Sequence, residues 1–398
     1  MSVRDYIDID FGVFMESLER GVVFSGAASQ ETHQQAKGIH SDRTAKYAFL
    51  LPTVFFILLL SVFPLVSSLL LSLTRVNFVR GGLDIQFVGF ANYEKLLFGS
   101  GQRHFIGSLQ APSLGGWLFL LVSSVLMIGW FAQSTRRGSR RIDSLFFRLL
   151  AVIITLGLCW IVASTLGDTG VPGTLVVTLI FVFVGVFFQY IIGLGLALLL
   201  VQDLPGKRFF RVIFLLPMTI TPVGIGFLFR MLTDTSVGPF APVWNALGLH
   251  DFSWADTGSG ARIAVLIGDI WQWIPFMFIV LLAALEGISR DQVEAARVDG
   301  ANRMQMFRHI LLPQIAPVSL TVVLIRLIEA FKIIDMPRLL TGGGPGTATE
   351  SMALHAYNEW RAPNLGGSAA LSYLLLFVVT FVAMMFVNTV RQKIVERL

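Results

Sequence analysis

The stretch Glu294-Ala-Ala-Arg-Val-Asp-Gly300, followed after nine residues by Ile310-Leu-Leu-Pro313, decides the fold. It is polar and lies between two strongly apolar segments. Just upstream, Ser289-Arg-Asp-Gln292 has the pattern of a helix start in which the first and last of these residues cap each other, and Gly300 is typical of a helix end. Two adjacent alanines, Ala295 and Ala296, leave the backbone of this short helix open to close approach. The pattern therefore predicts a docking surface.

The composition of the chain is that of a membrane protein. Of its 398 residues 55% are hydrophobic and 14% are charged, and the mean hydropathy is +0.73. Soluble domains carry about 25% charged residues. The net charge of +5 comes from basic residues that flank apolar runs, which indicates membrane topology and no nucleic-acid partner. The only cysteine, Cys159, excludes disulfides and cysteine-ligated metal, and the histidines form no HExxH pair, so no metal site is expected.

Eight apolar stretches approach or exceed the roughly 20 residues that a transmembrane helix needs. They lie near Tyr47–Thr74, Leu114–Ala132, Leu145–Leu166, Thr174–Val201, Val212–Leu232, Ile263–Leu285, Ala316–Ile334 and Ala370–Val390. The fifth is interrupted by Pro217 and Pro222 and the seventh by charges. The sequence thus predicts an all-α polytopic membrane protein with about eight transmembrane helices.

The basic residues also predict the orientation of the chain. With the N-terminus in the cytoplasm, the inside segments hold 20 of the 30 lysines and arginines. Both termini and the Glu294 segment are then cytoplasmic. The predicted organisation is a cytosolic tail without a cleavable signal (1–45), a first helix (46–75), an outer loop (76–113), a helical hairpin (114–166) and a helical core (174–392) that contains the polar loop 287–313.

Charged residues inside an apolar span are costly and are usually paired or functional. In the seventh span Arg326, Glu329, Lys332 and Asp335 recur every third residue, which predicts alternating charges along one helical face. One interpretation is a paired ladder buried against neighbouring helices or a partner subunit. The other is that part of the ladder lines or gates a hydrated path.

A second polar group lies in the sixth span, in Asp269-Ile-Trp-Gln-Trp-Ile-Pro275. The amide of Gln272 stands beside the indole of Trp271, an arrangement that suits a neutral polyhydroxylated solute, and Pro275 bends the helix. The alternative is two packing tryptophans with an interhelical amide bond. Three further candidates for a solute pathway are Gln189, Thr219 and Thr221, although threonines often bond to their own helix.

Motifs for catalysis are absent from the sequence. The outer segment Thr341-Gly-Gly-Gly-Pro-Gly346 lacks the Lys-Ser/Thr of a phosphate-binding loop, and neither GxxxxGK[ST] nor GxSxG occurs. We therefore expect no enzymatic activity and no cofactor bound by this chain. If ATP drives transport, another chain must hydrolyse it.

The pattern Glu294-Ala-Ala-x-x-x-Gly300, nine residues, then Ile310-x-Leu312-Pro313 resembles the EAA loop of binding-protein-dependent ABC importer permeases. Further stretches resemble the carbohydrate-importer branch of that family, the relatives of the maltose permease pair. They are Phe209-Phe-Arg-Val-Ile-Phe-Leu-Leu-Pro217, Trp271-Gln-Trp-Ile-Pro275, and Phe331-Lys-Ile-Ile-Asp335 with Leu340-Thr-Gly-Gly-Gly-Pro345. The resemblance covers roughly 47–97 and 174–398.

This resemblance implies a type I (MetI-like) permease core of six helices in a bacterial or archaeal cytoplasmic membrane. The implied partners are a second homologous permease, two ATP-binding cassette ATPases that hold ATP and Mg, and a periplasmic or lipid-anchored binding protein that delivers a sugar or polyol. The 287–313 loop would seat in an ATPase through Glu294, Ala295, Ala296, Asp299, Gly300 and Ala301. The inserted hairpin at 114–166 departs from the family pattern and is expected to be a lipid-facing brace.

Two rival functions remain open on the sequence. In an ion-coupled secondary transporter, the Arg326, Glu329, Lys332 and Asp335 series would relay protons or sodium ions. In a membrane scaffold or sensor there would be no transport at all. Neither rival explains the 287–313 loop.

Overall fold

The computed structural model describes residues 49–137, 142–167, 170–202, 204–248, 253–254 and 256–395. The predicted cytosolic tail, residues 1–45, lies outside the described residues. The chain separates into two compact units, residues 1–68 and 69–398. The described part of the first unit is helical, and the second unit contains all the sites discussed below.

Helices dominate the described chain, with two short sheets between them. In chain order the elements are α1 (Phe49–Ser72), β1 (Thr74–Val79), β2 (Gly82–Phe87), α2 (Ala91–Leu97), α3 (Gln102–Phe105), β3 (Gly107–Ser108), α4 (Leu114–Arg137), α5 (Ile142–Thr165), β4 (Val171–Pro172), α6 (Thr174–Leu200), α7 (Lys207–Thr219), α8 (Pro222–Thr233), α9 (Ala241–Ala246), α10 (Gly258–Glu286), α11 (Arg290–Val298), α12 (Arg303–Met306), α13 (Leu312–Ala330), α14 (Met352–Arg361) and α15 (Leu365–Val395). Single π-helical turns occupy Phe307–Leu311 and Pro337–Thr341.

Seven of the described helices are long and apolar enough to cross a membrane. They are α1, α4, α5, α6, α10, α15 and the stretch from α12 to α13. Helices are expected here because in hydrocarbon a helix satisfies every backbone N–H and C=O within its own segment. The predicted polytopic helical class is confirmed. The two antiparallel sheets, β1 with β2 and β3 with β4, are additions that hydropathy does not reveal.

The predicted span Val212–Leu232 is broken and is not one continuous helix, because α7 and α8 meet at an angle of 98°. Counted as one broken span, this pair brings the total to the predicted eight. The residue before a proline is driven out of the helical region by the proline ring, and Thr221, which precedes Pro222, has φ −62° and ψ 145°. Its hydroxyl then accepts a hydrogen bond from the Gly224 amide and caps α8. The break therefore follows from Thr221-Pro222.

The core lies between α6 and α10, whose facing residues are buried. Phe181 and Val182 of α6 and Met277 and Phe278 of α10 are almost fully enclosed. The two backbones approach so closely at Gly193 that an added Cβ would lie 2.6 Å from the Cβ of Met277. Small residues allow such approach where helices pack without a hydrophobic driving force between them.

The inserted hairpin is formed by α4 and α5, which pack against each other. Trp117 and Trp160 meet edge to face across the pair, with ring centroids 5.9 Å apart. Few of the described side chains of α4 and α5 are buried, and α5 reaches the core through α6 and the small sheet β3–β4. The expected role as a lipid-facing brace stays a prediction.

Candidate functional site

The 287–313 loop contains the short helix α11, which ends in a hydrogen-bonded C-cap. Helix α11 ends at Val298 with Asp299 as its C-cap, and Gly300 has φ +80°, a conformation that side chains disfavour. The Gly300 amide donates to the Arg297 carbonyl at 3.1 Å, and the Ala301 amide donates to the Ala296 carbonyl at 3.0 Å. These two bonds form a Schellman motif, which satisfies the last carbonyls of the helix. Gly300 is thus required by the backbone.

The predicted reciprocal cap between Ser289 and Gln292 is wrong. The Ser289 side chain makes no capping hydrogen bond, and the Gln292 Oε1 accepts a hydrogen bond from Gln314 Nε2 at 2.6 Å. The capping box forms instead at the next helix, where Asn302 and Gln305 bond each other's backbone amides at 2.8 and 2.9 Å. Gln292 lies near the start of the loop and Gln314 lies one residue past its end. Their hydrogen bond therefore connects the two ends of the loop.

The two alanines of the loop face in different directions. Ala296 is 8% exposed and packs inward, while Ala295 is exposed together with Glu294 and Asp299. The expectation of one alanine-lined face is wrong because adjacent residues on a helix are about 100° apart. The outer surface instead carries Val298, which is 87% exposed. Sequence analysis missed Val298, although an apolar residue inside a polar loop was a visible signal.

A second exposed apolar side chain in this loop is Met304, at 70% exposure. It follows the Schellman turn in α12, and sequence analysis missed it as well. Glu294, Ala295, Val298 and Met304 together give the loop a mixed outer surface with acidic and apolar groups. Exposed apolar residues on a rigid polar loop are typical of a protein–protein contact.

Three helices of the core are joined by buried polar side chains. Arg326 of α13, Asp269 of α10 and Gln189 of α6 form what we term the polar clamp. Arg326 Nη2 donates to Asp269 Oδ2 at 2.8 Å and to Oδ1 at 3.0 Å, and its Nε donates to Gln189 Oε1 at 2.9 Å. Gln189 Nε2 donates in turn to Asp269 Oδ2 at 2.8 Å. Every member of the clamp therefore bonds both others.

The polar clamp is buried and electrically balanced. Arg326 is 2% exposed, and its guanidinium lies 4.4 Å from the ring centroid of Trp273. A lone charge buried among helices is costly, whereas a hydrogen-bonded pair offsets much of that cost. Gln189 and Asp269, predicted as solute-pathway residues, thus direct their polar groups at Arg326. The arrangement acts as a tie between α6, α10 and α13.

The predicted charge ladder along one helical face is wrong. Helix α13 ends at Ala330, so Lys332 and Asp335 lie beyond it. The Ile333 carbonyl accepts a hydrogen bond from the Ser351 hydroxyl at 2.5 Å, so the chain leaves the helical path there. Lys332 bonds Glu329 at 2.8 Å in an exposed pair. Arg326 is the one member of the series that the structure places in the buried core.

The remaining solute-pathway candidates lie in two separate places. Gln272 is buried, and Trp271 packs edge-on against Phe229 with centroids 5.6 Å apart. Thr219 and Thr221 are exposed on either side of the break between α7 and α8, and the Thr219 hydroxyl donates to the Leu216 carbonyl. Broken helices within a membrane expose backbone polar groups, which makes the two threonines the better placed candidates.

A second polar cluster lies at the opposite end of the bundle, where α10 begins. His104 Nε2 and Glu350 Oε2 are 2.6 Å apart, and the rings of His104 and His355 stack at 3.9 Å. The Glu350 hydrogen bond raises the pKa of His104 above its usual value, against the effect of burial. Burial alone would raise the pKa of Glu350, but hydrogen bonds from His104 and Asn358 lower it overall. Both pKa shifts therefore favour the charged forms of the two groups, a protonated His104 and an ionised Glu350.

Among the residues that the structure describes, no three His, Cys, Asp or Glu side chains are grouped so as to hold a metal ion. The groups described above are hydrogen-bonding groups and charges suited to binding and to transmitting movement. They include no nucleophile activated by an adjacent base.

Comparison with known proteins places the chain in a family. Residues 189–396 match the family model described as "Binding-protein-dependent transport system inner membrane component". The chain is 36% identical over 203 residues to the trehalose/maltose transport system permease protein MalF of Thermococcus litoralis, covering 51% of this chain and 69% of that protein. It is 32% identical to the sulfoquinovosyl glycerol transport system permease protein SmoG of Agrobacterium fabrum, covering 55% and 70%.

The fold is shared with a solved structure of a bacterial alginate ABC transporter in complex with a pentasaccharide-bound periplasmic protein. That similarity has a TM-score of 0.59 at 18% identity and covers 90% of this chain and 97% of the other. The helical architecture thus agrees with the family match, which spans more than half of the sequence. The chain belongs to the family of inner membrane components of binding-protein-dependent transport systems.

Proposed function

We propose that the chain is a permease subunit of an ATP-driven ABC importer for a sugar or a related polyol or oligosaccharide. It works by alternating access, and the 287–313 loop couples it to an ATPase. The observation that carries this proposal is the loop itself, which is closed by a Schellman motif and by the Gln292–Gln314 bond and exposes Glu294 and Val298. A rigid, self-closed loop with a mixed surface can transmit a displacement without deforming.

The path of that displacement follows from connectivity. Helix α10 ends at Glu286 just before the loop, and α13 begins at Leu312, within the last two residues of the loop. The polar clamp joins these two helices within the membrane. When the loop moves with the ATPase that it contacts, the movement is therefore transmitted to α10 and α13 together. Gln189 transmits it further to α6.

The partners follow from this mechanism. Two ATP-binding cassette subunits hold ATP and Mg and hydrolyse the ATP, since this chain lacks the motif for it. A second homologous permease completes the pathway, and the exposed apolar residues of α7, such as Phe209, Val212 and Leu216, offer it a surface. A solute-binding protein delivers the solute on the outer side, with both termini of this chain in the cytoplasm.

The solute class is supported by the relatives, whose names specify trehalose/maltose and sulfoquinovosyl glycerol. In this chain Thr219 and Thr221 at the α7–α8 break offer hydroxyls to such a solute, and Trp271 with Gln272 forms the second candidate site. Replacing Thr219 with valine keeps its shape and removes a hydroxyl that caps no helix, whereas the Thr221 hydroxyl also caps α8. We expect the variant to need a higher solute concentration than the wild type for half-maximal uptake, while the transport complex stays assembled.

The coupling role is tested with Glu294→Lys in the reconstituted transporter. Glu94→Lys makes the same charge change on an exposed residue of α2, far from the loop in the chain, and serves as the matched control. We expect Glu294→Lys to abolish solute-stimulated ATP hydrolysis and uptake while the protein still inserts in the membrane. The control should behave as the wild type. Uptake at the wild-type rate in Glu294→Lys would refute the coupling assignment.

An ion-coupled secondary transporter is not favoured. The residues that would relay ions are paired: Arg326 with Asp269, and Lys332 with Glu329. Solute uptake by the permease pair in vesicles without any ATPase subunit would nevertheless support that alternative.

A further inference from the structure

An open cleft of about 630 Å³ lies where α10 begins, at the other end of that helix from the 287–313 loop. Helix α10 has 29 residues and is therefore about 43 Å long, so the two features lie on opposite sides of the membrane. Three parts of the chain form the walls: the segment around α3, the first turn of α10, and the loop before α14. The lining residues that bear on its chemistry are Arg103, His104, Val171, Arg262 and Ala348.

All charged side chains that line the cleft are basic. Arg103 is exposed and has no ion-pair partner among the described residues, and Arg262 is held in place by a hydrogen bond to the Ala348 carbonyl at 3.3 Å. Glu350 lies nearby but is buried and is occupied by His104 and Asn358. The cleft therefore presents two guanidinium groups with no carboxylate to neutralise them.

The walls of the cleft are preformed. The His104–Glu350 pair at 2.6 Å fixes α3 against the loop before α14. Strands β3 and β4 pair, and the Val171 amide donates to the Ser108 hydroxyl at 2.7 Å. The Thr349 amide bonds the Gly343 carbonyl, which closes the loop that carries Pro345 to Ala348. A site whose walls are held in this way pays little ordering entropy on binding.

We propose that this cleft is the docking site for a carboxylate-bearing segment of the solute-binding protein. The inference rests on the proposed function and names where its outer partner binds. Guanidinium groups bind carboxylates through paired, charge-assisted hydrogen bonds. A neutral sugar carries no negative charge to complement the two guanidinium groups of the cleft, whereas an acidic surface segment does. The volume admits several side chains of such a segment.

The test uses the complete transporter in lipid nanodiscs and the purified solute-binding protein of the same transport system. Binding is measured over a series of salt concentrations for the wild type, Arg103→Glu and Arg103→Lys. Arg80→Glu, an equally exposed arginine in the β1–β2 turn, is the matched control. Neither arginine belongs to the 287–313 loop or to the polar clamp.

We expect Arg103→Glu to weaken docking about tenfold at low salt, with the difference shrinking as ionic strength rises. Arg103→Lys keeps the charge and should retain most of the affinity, and Arg80→Glu should change it less than about twofold. Equal affinities for Arg103→Glu and Arg80→Glu at every salt concentration would overturn the inference.

A second arm separates the binding protein from the solute as the source of the negative charge. Docking is measured with solute-free and solute-loaded binding protein. A loss in Arg103→Glu that appears only with an anionic solute assigns the cleft to the solute and contradicts the proposal. If the wild type docks no binding protein, the proposed function fails as well; if the wild type docks normally and Arg103→Glu does too, the inference alone fails.

Discussion

Replacing Asp269 with asparagine removes one charge from the polar clamp and almost no volume. Arg326 would then stay 2% exposed with a full positive charge and no carboxylate bonded to it, because Gln189 offers it a neutral amide oxygen. Breaking a buried ion pair from one side costs about 3–5 kcal/mol. Since asparagine keeps a hydrogen-bond acceptor for Nη2, we expect the lower end, about 3 kcal/mol, or more than a hundredfold in the folding equilibrium.

The double variant Asp269→Asn, Arg326→Met tests whether that cost is the unpaired charge. Removing both charges leaves a neutral, filled site, and such replacements are often close to neutral in stability. We therefore expect the double variant to recover most of the stability that the single variant loses. The control is Glu286→Gln, the same carboxylate-to-amide change in the exposed pair with Arg211, which should cost less than about 1 kcal/mol.

The assay is the unfolding midpoint of purified protein in one fixed detergent, followed by tryptophan fluorescence, with uptake measured in parallel. The reasoning is refuted if the unfolding midpoint of Asp269→Asn equals that of the wild type, or if the double variant is no more stable than the single variant. Uptake adds a second reading. A double variant that is stable and inactive would show that the clamp is needed for transport as well as for holding the helices together.

Three further predictions concern other parts of the chain. Gly300→Ala forces a side chain into φ +80°, which costs about 1–2 kcal/mol, and should lower coupled ATPase activity more than Gly129→Ala, at a helical position where an added Cβ meets nothing within 4 Å, lowers it. Val298→Asp should weaken co-purification of the ATPase, and Val237→Asp, at a similarly exposed position outside the loop, should not. Because its pKa is raised, His104 stabilises the fold fully below about pH 6.5 and loses this contribution as the pH rises through its folded-state pKa. The melting temperature of the wild type should thus fall relative to that of His104→Gln as the pH rises from about 6.5 through the raised pKa of His104, and equal pH profiles would contradict the role of the ion pair.

The membrane-spanning helices could be predicted because hydrocarbon leaves an apolar run little choice but a helix. The break after Thr219 could not be placed as firmly. Pro217 lies inside a continuous α7, whereas Pro222 starts a new helix, although both looked alike in the sequence. Which proline breaks a helix depends on packing around it, which the local sequence does not carry.

The caps show the same limit at short range. Ser289 with Gln292 and Asn302 with Gln305 fit one sequence pattern, and only the second pair forms the capping box. In the first pair the side-chain oxygen of Gln292 accepts a hydrogen bond from Gln314, which lies 22 residues further along the chain. Local rules therefore identify the candidates for a cap, and tertiary contacts choose between them.

The polar clamp lay further beyond the reach of sequence reasoning. Its three members were each noted as unusual polar residues, but they were divided between a solute pathway and a charge ladder. Arg326 and Gln189 are separated by 137 positions in the chain. No periodicity links residues so far apart, and a single sequence contains no record of which of them meet.

The clamp also has a consequence for how this chain can change over generations. Losing Asp269 alone leaves a buried positive charge without its partner, and losing Arg326 alone leaves a buried negative charge. Losing both changes the stability of the fold little. A lineage can therefore leave this arrangement only by two changes close together in time, or through an intermediate in which another carboxylate takes over. Homologous chains should accordingly carry either both residues or neither, and a population that holds one without the other should be short-lived.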